Sequence, residues 1–233
     1  MQTQLATNSS VQGAQFLAHR FYSTPPAGNI EMDPLDAIGT VSPVRAGGGL
    51  YAEGDTATSL YRVSSGVLRT YKLLPDGRRQ IDDFLFEGDF FGLEARKEHS
   101  FGAEAVTDAA VIRYSRTRLD GMAAEDARLS ARLLQLTLKR LGKAHDRLML
   151  LGRKTAEEKL ASFLLEMLDR SEFKDSIDLA MSRTDIADYL GLTIETVSRT
   201  FSVLKQERVI ALPSSHRVIV RDRRALEELT GDE

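Results

Sequence analysis

The hydrophobic pattern of this 233-residue chain changes period once, near residue 115, and the change confines the fold more than any other feature. Residues 36–114 carry short apolar or alternating runs punctuated by turn signals. The run 60–63 precedes Ser65 and Gly66, and residues 67–73 alternate before Pro75, Asp76 and Gly77. Residues 80–86 lead into Glu87, Gly88 and Asp89, and short runs at 105–106 and 110–112 follow. Short strands at such intervals predict a sandwich or barrel. From residue 116 the period becomes helical. Leu134, Thr137, Leu141, Ala144, Leu148 and Leu151 fall at alternating spacings of three and four. That is an a/d seam of about two and a half heptads. Lys139, Arg140, Lys143, Asp146 and Arg147 flank it. The spacing fits an amphipathic helix packed on its own domain, and it equally fits a parallel dimer coiled coil. Gly152 is a candidate stop.

These patterns predict an α+β chain in four parts. Residues 1–30, rich in Gln, Ser and Ala, form an arm in which residues 11–21 could make a short helix. Residues 31–115 form a β-sandwich or barrel, 116–152 one long helix, and 153–233 a set of shorter helices with a polar loop at 171–178. Composition narrows function. With no cysteine, a disulfide framework, a thiolate-bound zinc, an ordinary iron–sulfur cluster and a catalytic thiol are excluded. His19, His99, His145 and His216 lack metal-site spacing, and the strand-rich region holds only His99. A cupin-like metalloenzyme is therefore not expected, and no cofactor or metal is assigned. The opening residues lack a signal-peptide pattern and no run approaches a bilayer span, so the expectation is a cytoplasmic protein without a membrane partner.

The net charge of -3 hides an asymmetry: residues 182–224 carry eight Lys/Arg against five Asp/Glu. Charge asymmetry of this kind points to nucleic acid. In the same stretch, Ser182 and Asp185 fit a capping box opening a helix over 183–190. Gly191 allows a sharp turn, and Thr193 can cap a second helix reaching about residue 207. Ile186, Ala187, Leu190, Leu192, Val197, Phe201 and Leu204 supply the contact between the two, a helix-turn-helix by pattern. Glu195, Ser198 and Arg199 share one face of the second helix. There an Arg can fork onto guanine, a Glu can accept from cytosine, and a Ser can meet a base or a phosphate. A solvated face with a Glu195–Arg199 surface pair fits the same spacing. Two β-like runs around residues 213–215 read as a hairpin wing. Ser214, Ser215, His216 and Arg217 are its candidate phosphate contacts, with Ser182, Arg183, Thr184, Thr193 and Thr196 from the helix ends.

From about residue 36 onward the chain resembles the cyclic-AMP receptor protein/FNR (CRP/FNR) superfamily of bacterial transcription factors. The resemblance rests on Tyr51-Ala-Glu-Gly-Asp55, Leu60-Tyr-Arg-Val-Ser-Ser-Gly66, Asp76-Gly-Arg-Arg79 and Gly88-Asp-Phe-Phe-Gly92, followed by the helix-turn-helix at 182–199. It implies an antiparallel jelly-roll β-roll, a dimerisation helix using the 134–151 seam, and a winged helix-turn-helix. Glu195-Thr-Val-Ser-Arg199 is similar to the reading head of the FixK branch. That similarity implies a homodimeric activator on a palindromic TTGAT-N4-ATCAA-type site in double-stranded DNA. Glu195, Ser198 and Arg199 would read bases, Ile194 would lie beside a thymine methyl, and RNA polymerase would be a partner. Microaerobic respiration or nitrogen-fixation genes would be the targets. The chain also departs from the superfamily. Cyclic-nucleotide binders place an Arg-Ser pair on the phosphate, whereas residues 98–105 here contain no arginine. A FixK-like protein is expected to bind DNA without a small-molecule effector; a ligand-gated sensor of the same fold is the other reading.

Overall fold

The computed structural model describes Leu35 and residues 38–231; the N-terminal arm and its candidate helix lie outside the described residues. The segment up to Ile38 is a unit distinct from the rest, and residues 39–231 carry the strands and helices. Eight strands come first: β1 Thr40–Val44, β2 Gly49–Tyr51, β3 Ser59–Ser65, β4 Leu68–Leu73, β5 Arg79–Leu85, β6 Phe90–Phe91, β7 Gly102–Ala105 and β8 Ala109–Ser115. They form two antiparallel sheets, ordered β1-β8-β3-β6 and β2-β7-β4-β5. The inward halves of their alternating pattern meet in a core of Tyr61, Val63, Leu68, Leu85, Phe91 and Val111. The β4–β5 hairpin turns at Pro75-Asp76-Gly77. There the Gly77 amide donates to Leu74 O, and Asp76 Oδ1 accepts from the Arg78 amide. Gly77 has φ +86°, a backbone state that a Cβ disfavours.

Strands β1, β2 and β6 carry little of the expected alternation. Pro43 interrupts β1, which is tolerable because β1 lies at a sheet edge, and β2 and β6 are only three and two residues long.

The predicted single helix over 116–152 is two. α1 spans Arg116–Glu125 and α2 spans Ala127–Arg153. Between them Asp126 adopts an extended conformation, and its carboxylate accepts from the Arg128 amide. An Asp N-cap offers the backbone an alternative to continuing the first helix. Gly152 does not stop α2, which runs one residue further. The helix ends because Thr155 starts the capping box of α3, Ala156–Asp169, with Glu158.

Strand β9, Ser176–Asp178, corrects the predicted loop at 171–178. It is too short to announce itself, but Ile177 is buried and its backbone pairs with the wing. α4, Arg183–Leu190, and α5, Ile194–Gln206, form the helix-turn-helix. β10 Ile210–Ala211 and β11 Arg217–Val220 make the hairpin, and α6, Arg223–Glu228, comes last. The C-terminal core joins Phe163, Leu164, Ile186, Leu190, Val197, Phe201 and Leu204. It also takes in Ile81 and Phe84 from β5. Burying a Phe contributes roughly 1.5–3 kcal/mol, so this strand is a structural member of both halves.

Candidate nucleic-acid interface

The capping box at the start of α4 is complete. Ser182 Oγ accepts from the Asp185 amide at 3.1 Å, and Asp185 Oδ2 accepts from the Ser182 amide at 3.1 Å. The helix stops at Gly191, whose left-handed backbone (φ +63°) lets its amide reach Ala187 O. Thr193 then caps α5 by accepting from the Thr196 amide at 3.2 Å. Val197, Phe201 and Leu204 face inward and are fully buried. The outer face obeys the helical period: Ile194, Glu195, Ser198 and Arg199 are all exposed. Glu195 and Arg199 form no ion pair with each other, and neither side chain takes a partner among the described residues. One acceptor, one cation and one hydroxyl are thus displayed on a capped helix end with their bonding capacity open.

The candidate phosphate contacts divide. Thr184 and Ser215 are exposed. Ser182 Oγ also donates to Asp185 Oδ2 at 2.9 Å, so its hydroxyl is fully engaged within the cap. Arg183 does not point outward: its guanidinium lies 3.3 Å from the Phe201 ring centroid. Burial lowers its pKa to about 10, which still leaves it charged at neutral pH. The Thr193 and Thr196 hydroxyls bond each other at 3.1 Å. On the wing, Ser214 Oγ accepts from the amides of His216 and Arg217, shaping the turn. His216 Nδ1 lies 3.1 Å from Leu179 O, and Arg217 is 3.9 Å from Asp178.

α2 has two faces. Leu134, Leu138, Leu141, Leu148 and Met149 are each at least half exposed and follow one another along the helix. The exposed stripe therefore contains Leu138 and Met149. Of the predicted seam, Thr137 is exposed with its hydroxyl turned back to Leu133 O, Ala144 borders a cleft, and Leu151 is half-buried. The opposite face carries Arg140, Lys143 and Arg147 against β5. Arg140 lies 3.4 Å from Asp82 and Lys143 lies 3.3 Å from Asp83. Arg147 donates to Ile81 O and to Tyr189 O, with its guanidinium 3.5 Å from the Tyr189 ring centroid. These groups line a cleft of about 690 Å³ between β5 and α2. Sequence periodicity could not reveal these contacts, because each joins residues more than forty positions apart.

The segment that would hold a cyclic phosphate does not suit one. His99 is buried and stacked on Tyr51 at 3.6 Å between centroids, and burial lowers its pKa, so it is neutral. Ser100 Oγ donates to Glu94, and Glu104 is taken by Arg69 and Arg79. A phosphate placed on residues 98–105 would meet carboxylates and no arginine or lysine from that segment, the exposed Arg96 and Lys97 lying just before it.

Comparison with known proteins places this architecture. Residues 158–229 match the Crp-like helix-turn-helix domain family, and residues 42–126 match the cyclic nucleotide-binding domain family. The nitrogen fixation regulation protein FixK of Azorhizobium caulinodans is 44% identical over 198 residues, covering 83% of this chain and 80% of that protein. This chain belongs to the CRP/FNR family. FixK of Rhizobium meliloti is 39% identical over 84% of the chain and 90% of its own length. The structure of FixK2 from Bradyrhizobium japonicum superposes with a TM-score of 0.80 at 41% identity, covering 82% of this chain and 97% of that one. The CRP/FNR chain described here is thus a FixK-type transcription regulator with a DNA-binding helix-turn-helix, and its relatives are regulators, not enzymes. Among the described residues no helix is long and apolar enough to cross a membrane.

Proposed function

We propose that this CRP/FNR chain is a homodimeric activator that binds a TTGAT-N4-ATCAA-type inverted repeat without a small-molecule effector, in the cytoplasm. The observation that carries the reading is the open face of α5. Glu195, Ser198 and Arg199 are exposed together on the helix of a capped helix-turn-helix, and their side chains take no partner among the described residues. In this reading Arg199 forks onto guanine, Glu195 accepts from cytosine N4, Ser198 meets a base or phosphate, and Ile194 packs on a thymine methyl. Thr184, Ser215 and Arg217 supply backbone contacts that fix the register. A second copy joins along the apolar stripe of α2, and the resulting two-fold matches half-sites one helical turn apart. RNA polymerase is the downstream partner, and the turn at 74–79, exposed at residues 75–78, is the surface offered to it. Control of microaerobic respiration or nitrogen-fixation genes is inferred from the FixK relatives.

Effector independence draws support from residues 98–105, which offer a cyclic phosphate no arginine or lysine. The cleft between β5 and α2 favours a ligand-gated protein instead, but Asp82 and Asp83 in its wall are already paired across it with Arg140 and Lys143. The test is fluorescence anisotropy of purified protein on the TTGAT-N4-ATCAA duplex and a scrambled duplex at fixed salt, without effector. Tight, selective binding is expected. Binding that requires an added cyclic nucleotide would establish the ligand-gated protein, and weak binding under every condition would reassign the reading residues.

A further inference from the structure

Five consecutive residues of β5 each hold another element, and together they run between α2 and α4. Arg79 forks onto α4, with Nε 2.9 Å from Asp188 Oδ2 and a terminal nitrogen 2.5 Å from Asp185 Oδ1. Gln80 Nε2 donates to Asp188 O at 2.7 Å. Ile81 O accepts from Arg147, Asp82 pairs with Arg140, and Asp83 pairs with Lys143, all three partners lying on α2. On the neighbouring strand β4, Arg69 lies 2.6 Å from Asp185 Oδ1 and 2.5 Å from Glu104.

Two features make this more than a row of surface pairs. First, Asp185 divides its two oxygens. Oδ2 closes the capping box with Ser182, while Oδ1 accepts from both Arg69 and Arg79. Its side chain is only 9% exposed and that of Arg69 14%, so these charge-assisted bonds are shielded from solvent. The start of the helix-turn-helix is thereby tied to the β-roll through one carboxylate. Second, the last turn of any helix leaves carbonyls without intrahelical donors. In α4 the Ala187 carbonyl is met by the amides of the Gly191 turn, but Asp188 O is met by Gln80 and Tyr189 O by Arg147. Strand β5 and helix α2 finish the end of α4. The apolar side of β5 adds to the hold: Phe84 sits 5.1 Å from the Tyr189 ring and 6.4 Å from the Phe163 ring, centroid to centroid.

We propose that β5 is a strut that sets the angle between the dimer helix and the reading helix, with Arg69, Arg79 and Gln80 as positioning residues for DNA recognition. This rests on the DNA-reading role above and supplies what a bound effector would otherwise have to do. A dimer recognises two half-sites at once only if both reading helices hold the right separation, and holding them beforehand removes an ordering cost from binding. Residues that touch no DNA then control selectivity for the spacer between half-sites.

The test uses the 233-residue chain with nitroxide labels at Lys139→Cys on α2 and Lys205→Cys on α5, both exposed positions in a protein without cysteine. Pulsed dipolar spectroscopy should give one narrow intramolecular distance, with unlabelled protein in excess to suppress signal between copies. Arg79→Gln should broaden it. The same variant should bind the N4 duplex at least ten-fold more weakly and lose most of its preference for N4 over N3 and N5 spacers. Asp188→Asn should act in the same direction but less strongly, and the double variant should be little worse than Arg79→Gln alone, because that substitution already removes the Asp188 contact along with those to Asp185 and Glu104. Gln80→Ala serves as the milder variant should Arg79→Gln fail to fold. Unchanged distance distributions, or broadened ones with spacer preference intact, would overturn the strut. If the unsubstituted protein does not bind the N4 duplex, the DNA reading fails, while the distance measurement still decides whether β5 holds the two helices.

Discussion

Helices α4 and α5 are joined by a three-residue turn, yet their polar side chains meet opposite fates. On α4, Ser182 and Asp185 close a cap, Asp185 and Asp188 hold Arg79, and Arg183 lies on Phe201. On α5, the side chains of Glu195, Ser198 and Arg199 stand exposed with no partner among the described residues. The same division runs along α2, whose basic face is bound to β5 while its Leu134, Leu141 and Leu148 face is bare. Polar or apolar character alone does not distinguish a binding surface from a structural one. The distinction is whether the chain itself completes the bonding or burial that each group requires.

The bare face of α2 should break first. Leu141→Arg puts an unpaired charge into the proposed seam, at a cost of about 3–5 kcal/mol to association. Sedimentation should show monomer, and affinity for the palindrome should collapse while the thermal melt of each protomer barely changes. A dimer that survives the substitution would mean that the bare stripe serves another purpose. On α5, Arg199→Ala should cost about 1–3 kcal/mol on the specific duplex and relax selectivity at one base position. Its melt should match that of the unsubstituted protein, because the Arg199 side chain bonds to none of the described residues. Equal losses on specific and scrambled DNA would make Arg199 a phosphate contact and leave α5 without its principal reader.

What the sequence discloses depends on the range of the interactions. Both helices of the helix-turn-helix were legible to the residue at their starts, because Ser182, Thr193 and Gly191 act within three or four positions of themselves. Strand β4 was legible by alternation, and β3 and β5 as short apolar runs bounded by turn signals. The break at Asp126 was not, since an Asp inside a helical period looks like any exposed polar residue until its backbone turns. Strand β9 was hidden for a similar reason: three residues of a polar segment become a strand only because β11 passes beside them. At the interface, the residue types on α5 were readable, but the commitment of Arg183 to Phe201 was not, nor was the placement of Leu138 and Met149 on the bare stripe of α2. Arg69 and Arg79 meet Asp185 across more than one hundred residues, and no local pattern encodes that.

The committed face can be tested through proton linkage. Asp83 sits under Lys143 at 3.3 Å, with Glu166, Asp82 and Asp89 also acting on it. Burial pushes its carboxyl pKa up to about 6, the neighbouring carboxylates add to the rise, and Lys143 pulls it back. A carboxyl with a folded pKa above its unfolded value holds its proton more tightly in the folded protein. Its penalty is therefore absent below about pH 4, grows as pH rises to about 6, and persists above. Asp83→Asn removes the ionisation, so the variant should gain about 1–2 kcal/mol at pH 7. It should also lose the fall in stability between about pH 4 and 6 that belongs to this group. Half-exposed Lys143 can turn its ammonium to water once its partner is neutral. Thermal melts of both proteins from pH 4 to 7.5 measure the difference. If Asp83→Asn is instead the less stable at pH 7, the bond to Lys143 outweighs the burial of the charge. The cleft between β5 and α2 would then be held together by that pair as well as by its apolar neighbours.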